Sequence, residues 1–61
     1  MNPEELKAGE LYTYEDGPAK WRVQYRRQEE KNGRYHFLLI EGVKGHQNLY
    51  LTIQEVENQI S

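Results

Sequence analysis

No cysteine occurs in the chain. Disulfides and thiolate-held metal centres are therefore excluded, which fits a reducing compartment and leaves a small core without covalent support. Histidine is nearly as scarce: His36 and His46 are the only two, and their ten-residue separation matches no recognised ligand spacing. Neither lies beside a nucleophile in sequence, and the Glu29-Glu30 pair flanks a turn and is expected to be solvated. No catalytic residue, metal ligand or cofactor is assigned, and an enzyme is not expected. Long apolar runs are missing too. The longest, Phe37-Leu38-Leu39-Ile40, falls far short of the roughly 20 residues that span a bilayer. The opening Met-Asn-Pro-Glu-Glu-Leu is acidic and lacks the basic-then-apolar layout of a secretory signal. A cytoplasmic location, away from membranes, is the expectation.

Bulky aliphatic residues are sparse as well, with Leu, Ile, Val and Phe numbering 13 of 61. Two features nevertheless argue for a folded chain. The net charge is only −2, and five Tyr, one Trp and one Phe each carry a large apolar surface. Residues 1–61 suffice for one domain, without repeats or linkers. Self-association into a homo-oligomer, or a bound partner, would add stability that so small a core lacks.

The apolar residues are patterned. Asn2, Pro3 and Glu5 have the layout of a capped helical start, which Gly9 ends. Residues 11–15 alternate with Tyr12 and Tyr14 on one face, and Asp16-Gly17-Pro18 stops them. Residues 20–27 form the cleanest strand. Trp21, Val23 and Tyr25 point one way, and Lys20, Arg22, Gln24 and Arg26 point the other. Asn32-Gly33 is a two-residue hairpin signal, in which both central residues need positive φ. Residues 34–41 carry Tyr35, Phe37 and Leu39 on one face and His36, Leu38 and Ile40 on the other, which predicts a central strand. Gly42 and Gly45 bracket another turn, and residues 47–51 form a fourth strand with Leu49 and Leu51 facing inward. From Thr52 the period changes. Thr52 and Glu55 make a capping box, and Ile53, Val56 and Ile60 fall on one helical face.

A two-residue Asn32-Gly33 turn would set Tyr25 opposite Ile40 and turn it away from Phe37. One extra residue near Arg26-Arg27, a β-bulge, brings Tyr25 opposite Leu39 and restores a common face. Trp21 opens the inward stripe and is expected to be largely buried.

The spacing Leu6-x-x-Gly9-x-x-Tyr12-x-Tyr14, Trp21-x-Val23-x-Tyr25, Tyr35-x-Phe37, Leu49-x-Leu51 and Val56-x-x-x-Ile60 resembles small SH3-like and Tudor-like barrels over nearly the whole chain. The resemblance implies an all-β fold, a small five-stranded antiparallel SH3-like barrel with a short helical turn at each end. Such domains bind peptides, modified side chains or nucleic acid. One departure concerns the aromatic cage for methylated Lys or Arg: residues 15–19 hold no aromatic, and residues 42–48 offer only His46. A cage would need Tyr12, Tyr14, Trp21 or Tyr50 turned outward; otherwise these are core residues.

Charge is unevenly spread. Residues 1–19 carry five acids and one Lys, net −4; residues 20–36 carry six basic groups and two acids, net +4; the rest is net −2. The basic groups Lys20, Arg22, Arg26, Arg27, Lys31 and Arg34 are the candidate binding surface, because Arg forks suit carboxylate and phosphate alike. The competing reading is a solvated face whose arginines pair with Glu29, Glu30 and Glu41. The expected function is a non-catalytic binding module with a protein partner. The alternative is a short single-stranded nucleic acid or nucleotide bound through the basic hairpin. A chain of this size also suits a phage or mobile-element accessory protein that blocks or sequesters a host factor.

Overall fold

In the computed structural model, residues 1–40 and 47–61 are described. The turn expected at Gly42 and Gly45, the strand end at Glu41, and His46 lie outside them. The chain opens with a 3-10 turn, Pro3–Glu5, whose start is capped by Asn2: its side-chain oxygen accepts the Glu4 N–H at 3.0 Å. The turn ends at Leu6, earlier than Gly9, because Leu6 takes an extended conformation and packs against the core. Four strands follow: β1, Leu11–Asp16; β2, Ala19–Gln28; β3, Tyr35–Leu39; and β4, Gln47–Leu51. They pair antiparallel in the order β1-β2-β3-β4, and the sheet is not closed. The helix α1, Ile53–Gln59, completes a mostly β fold.

The β1–β2 hairpin turns through Gly17 and Pro18, with Asp16 opposite Ala19. Gly17 supplies a φ of +61°, which an L side chain rarely adopts, and Pro18 follows with its fixed negative φ. The β2–β3 connection differs from the expected two-residue turn. Gln28 lies opposite Tyr35, so residues 29–34 form the loop. Asn32 has no positive φ there; its side-chain oxygen takes the Arg34 N–H at 3.0 Å, leaving Gly33 alone at +71°. The bulge is present between Tyr25 and Arg27. It sets Tyr25 opposite Phe37, not Leu39, because the longer loop moves the register while keeping the faces. Both partners still point inward.

One face of the sheet holds the core: Val23, Tyr25, Tyr35, Phe37, Leu39 and Leu51, covered at one end by Val56 and Ile60. Phe37 is fully buried at its centre, edge-on to Tyr12 (ring centroids 6.5 Å, 89°) and tilted against Tyr25 at 5.2 Å. Burial pushes the phenols of Tyr25 and Tyr14 up from their ordinary value; the carboxylates of Asp16 and Glu55 add to the shift at Tyr14. Both are groups held neutral inside the fold. Trp21 faces inward as expected but is only half-buried, because it sits opposite Tyr14 towards the hairpin end and packs on the core from its margin.

Thr52 starts α1 with a reciprocal capping box: the Glu55 N–H donates to its Oγ1 at 3.2 Å, and its own N–H donates to Glu55 Oε1 at 2.8 Å. Replacing Thr52 by Ala removes one of these and is expected to cost about 1 kcal/mol in a urea titration. An unchanged midpoint would show that the cap does not limit the stability of this end. The shared helical face expected for Ile53, Val56 and Ile60 is not formed. Ile53, at the first helical position, is 53% exposed, whereas Val56 is buried. Ile60 has left the helix for extended backbone and forms an antiparallel bridge with Tyr14. Two hydrogen bonds between Thr13 and Ser61, 2.8 and 2.9 Å, tie the tail to the outer edge of β1.

Candidate ligand-binding face

The second face of the sheet carries exposed Leu11, Arg22, Asn48 and Tyr50 with half-buried Gln24, His36 and Leu38, and β2 and β3 set its character. Strand alternation alone would place Arg26 and Arg27 on opposite faces. The bulge prevents that. Tyr25 is paired with inward Phe37, while Arg27 is already paired with outward His36. Arg26 and Arg27 are both exposed and line one shallow depression with His36. Two side chains that each end in a planar fork of donors thus line the same depression.

His36 is fixed from three sides. Its ring stacks on Tyr50, the residue opposite it on β4, with centroids 4.7 Å apart and planes within 12°. Its Nε2 is 2.8 Å from Asn48 Oδ1, and since a carbonyl oxygen only accepts, Nε2 carries the proton of that bond. Glu29 Oε1 lies 3.9 Å from Nδ1, and Glu29 Oε2 lies 3.7 Å from Arg27 Nε. Tyr50 is 44% exposed. Arg26 donates from Nη1 to Gln24 Oε1 at 3.1 Å, which holds its side chain over the sheet. Further along the face, exposed Leu11 and half-buried Leu38 flank Gln24, giving two separate apolar contacts beside the arginines.

The six basic residues read from the sequence do not form one patch. Arg26 and Arg27 are brought together. Lys20 lies seven residues from Arg27, roughly 23 Å along the strand at about 3.3 Å per residue, with Nζ 3.9 Å from Glu15 Oε1, its cross-strand partner. Arg22 is exposed on the same outer face, opposite Thr13, between these ends. Lys31 and Arg34 are exposed in the 29–34 loop, and Lys31 lines a shallow recess with Arg27 and Glu29. The pairing expected for Glu29 is present; Glu41 lies outside the described residues. His36, Asn48 and Tyr50 were missing from the sequence-derived surface. Alternation already placed His36 outward, and Tyr50, between inward Leu49 and Leu51, had the same signal. Their stacking depends on the β3–β4 register.

An aromatic cage is not assembled. Tyr12, Tyr14 and Trp21 pack against the core, and the outward Tyr50 stacks flat on His36, leaving no open box between rings. Among the described residues no group of three His, Cys, Asp or Glu side chains is placed to hold a metal ion, and no helix is long and apolar enough to cross a membrane. No protein-family model, curated protein or solved structure matches the chain.

Proposed function

We propose that this chain is a non-catalytic interaction module of the SH3-like type, acting in the cytoplasm, that binds an acidic segment of a partner protein on its outer sheet face. The observation that carries this reading is the bulge that aims Arg26 and Arg27 into one depression beside the His36–Tyr50 stack. Carboxylates on the partner would meet two guanidinium forks, and its apolar side chains would lie on Tyr50, Leu38 and Leu11. The Tyr14–Ile60 bridge supports the barrel reading, because a tail paired along β1 is where the fifth strand of such a barrel would run. A short single-stranded nucleic acid is the second reading, favoured by an exposed Tyr50 ring next to two arginines. One consideration places it second: the basic groups are dispersed along β2 and do not form a continuous track for a phosphate backbone.

The test is an NMR titration of the labelled protein with an Asp/Glu-rich decapeptide and, separately, with a dT10 oligonucleotide. The peptide is expected to shift the amides of Arg26, Arg27, His36, Asn48 and Tyr50. Shifts confined to α1 or the β1–β2 turn would overturn the assignment, and a response to dT10 alone would establish the second reading.

A further inference from the structure

We propose that Glu29 is an internal occupant of the binding site, a carboxylate of the chain itself that an acidic side chain of the partner displaces. The inference rests on the outer face being the binding surface. Glu29 places one carboxylate oxygen 3.7 Å from Arg27 Nε and the other 3.9 Å from His36 Nδ1, so a single acid spans both groups. Its side chain is 23% exposed, against 73% for Arg27, so the acid is the more enclosed partner of the pair. It is held loosely. Charge-assisted N–H···O bonds run to about 2.7–2.9 Å, and the 3.7 Å between Arg27 Nε and Glu29 Oε2 lies well beyond that. An incoming carboxylate that docks bidentately on Arg27 gains the short geometry that Glu29 does not reach.

The loop can release the acid without unravelling. Glu29 anchors residues 29–34 through its backbone, its N–H donating to Arg34 O at 2.7 Å and its carbonyl accepting from Gly33 N at 2.8 Å. Neither bond involves the carboxylate. Displacement therefore asks only for a side-chain rotation. The freed carboxylate would enter solvent beside Glu30 and Lys31, which line the same recess.

The experiment is fluorescence anisotropy with a fluorescein-labelled Asp/Glu-rich decapeptide, and a labelled dT10 arm, on wild type, Glu29→Gln, Glu30→Gln and an Arg26→Gln/Arg27→Gln double variant. Glu29→Gln removes the competing charge, keeps the backbone bonds, and is expected to tighten peptide binding about three- to fivefold, as an exposed ion pair would allow. Glu30→Gln changes the net charge equally but removes no ion pair among the described residues, so it serves as the control and should change affinity less. Equal gains for the two variants would reduce the effect to net charge and overturn the proposal while the binding face stands. A larger gain for dT10 than for the peptide would overturn the carboxylate assignment. Peptide binding that survives in the double variant would remove the binding face, and the proposal with it.

Discussion

Phe37→Ala is expected to unfold most of the protein at 25 °C. Phe37 is fully buried where β2, β3 and β4 meet, between Tyr25 and Leu49 in the ladder and edge-on to Tyr12. Truncating a buried Phe costs about 3–5 kcal/mol through lost transfer energy and the cavity left behind. The collapse that could fill such a cavity is restricted, because the rings of Tyr12 and Tyr25 and the ladder-bonded strands β2 and β4 surround it. A 61-residue domain holds roughly 3–9 kcal/mol in all, at about 0.05–0.15 kcal/mol per residue. The loss is therefore of the same order as the total. Far-UV circular dichroism with a urea titration reads the outcome directly. A variant that keeps a sharp transition at the wild-type midpoint would show that Phe37 does not hold the core. Trp21→Ala makes the useful contrast. Its ring is only half-buried, so its cost should fall below that range and leave a folded protein.

The second large effect is on binding. Replacing Arg26 and Arg27 together by Gln should lower affinity for the acidic decapeptide by about ten- to a hundredfold, since each removes a charged, two-pronged donor. Stability should change by no more than about 0.5 kcal/mol, because both side chains are exposed and point away from the core. The double Lys variant separates charge from geometry. Lys keeps the attraction at each site but presents no planar fork, so it should retain salt-sensitive binding and lose part of the specific affinity. Measured across a salt series, identical affinities for wild type, double Lys and double Gln would leave the pair an ordinary solvated edge. Glu29 sharpens the comparison. With Arg27 gone its acid loses an ion-pair partner, so the two arginines should not contribute additively.

Much of the fold was legible along the chain. The strands were marked by alternation, and the Thr52–Glu55 box announced the start of α1. The bulge could be inferred near Arg26-Arg27 from one demand, that Tyr25 and Phe37 share a face. Its partner residues could not, because they depend on how residues 29–34 close. Asn32 had two ways to serve a turn, by adopting positive φ itself or by bonding the Arg34 N–H through its side chain, and a dipeptide signal does not distinguish them. Ile60 misled for a related reason: a helical period has no information about where the helix stops, and Ile60 lies past the stop.

For the candidate site the division is sharper. Residue chemistry and face were set locally, since the period of two along a strand assigns His36, Arg26 and Tyr50 outward whatever the partners are. Proximity was not. Six basic residues close in sequence became one Arg26–Arg27 pair with Lys20 far off, because an extended strand separates neighbours by about 3.3 Å per residue while a bulge gathers two onto one side. His36 met Tyr50, and Glu29 met His36, only through cross-strand register and loop closure. The sequence by itself determined which strand residues share a face and what chemistry they carry; the tertiary structure decided which stand together, because register is a property of paired strands and not of either strand alone.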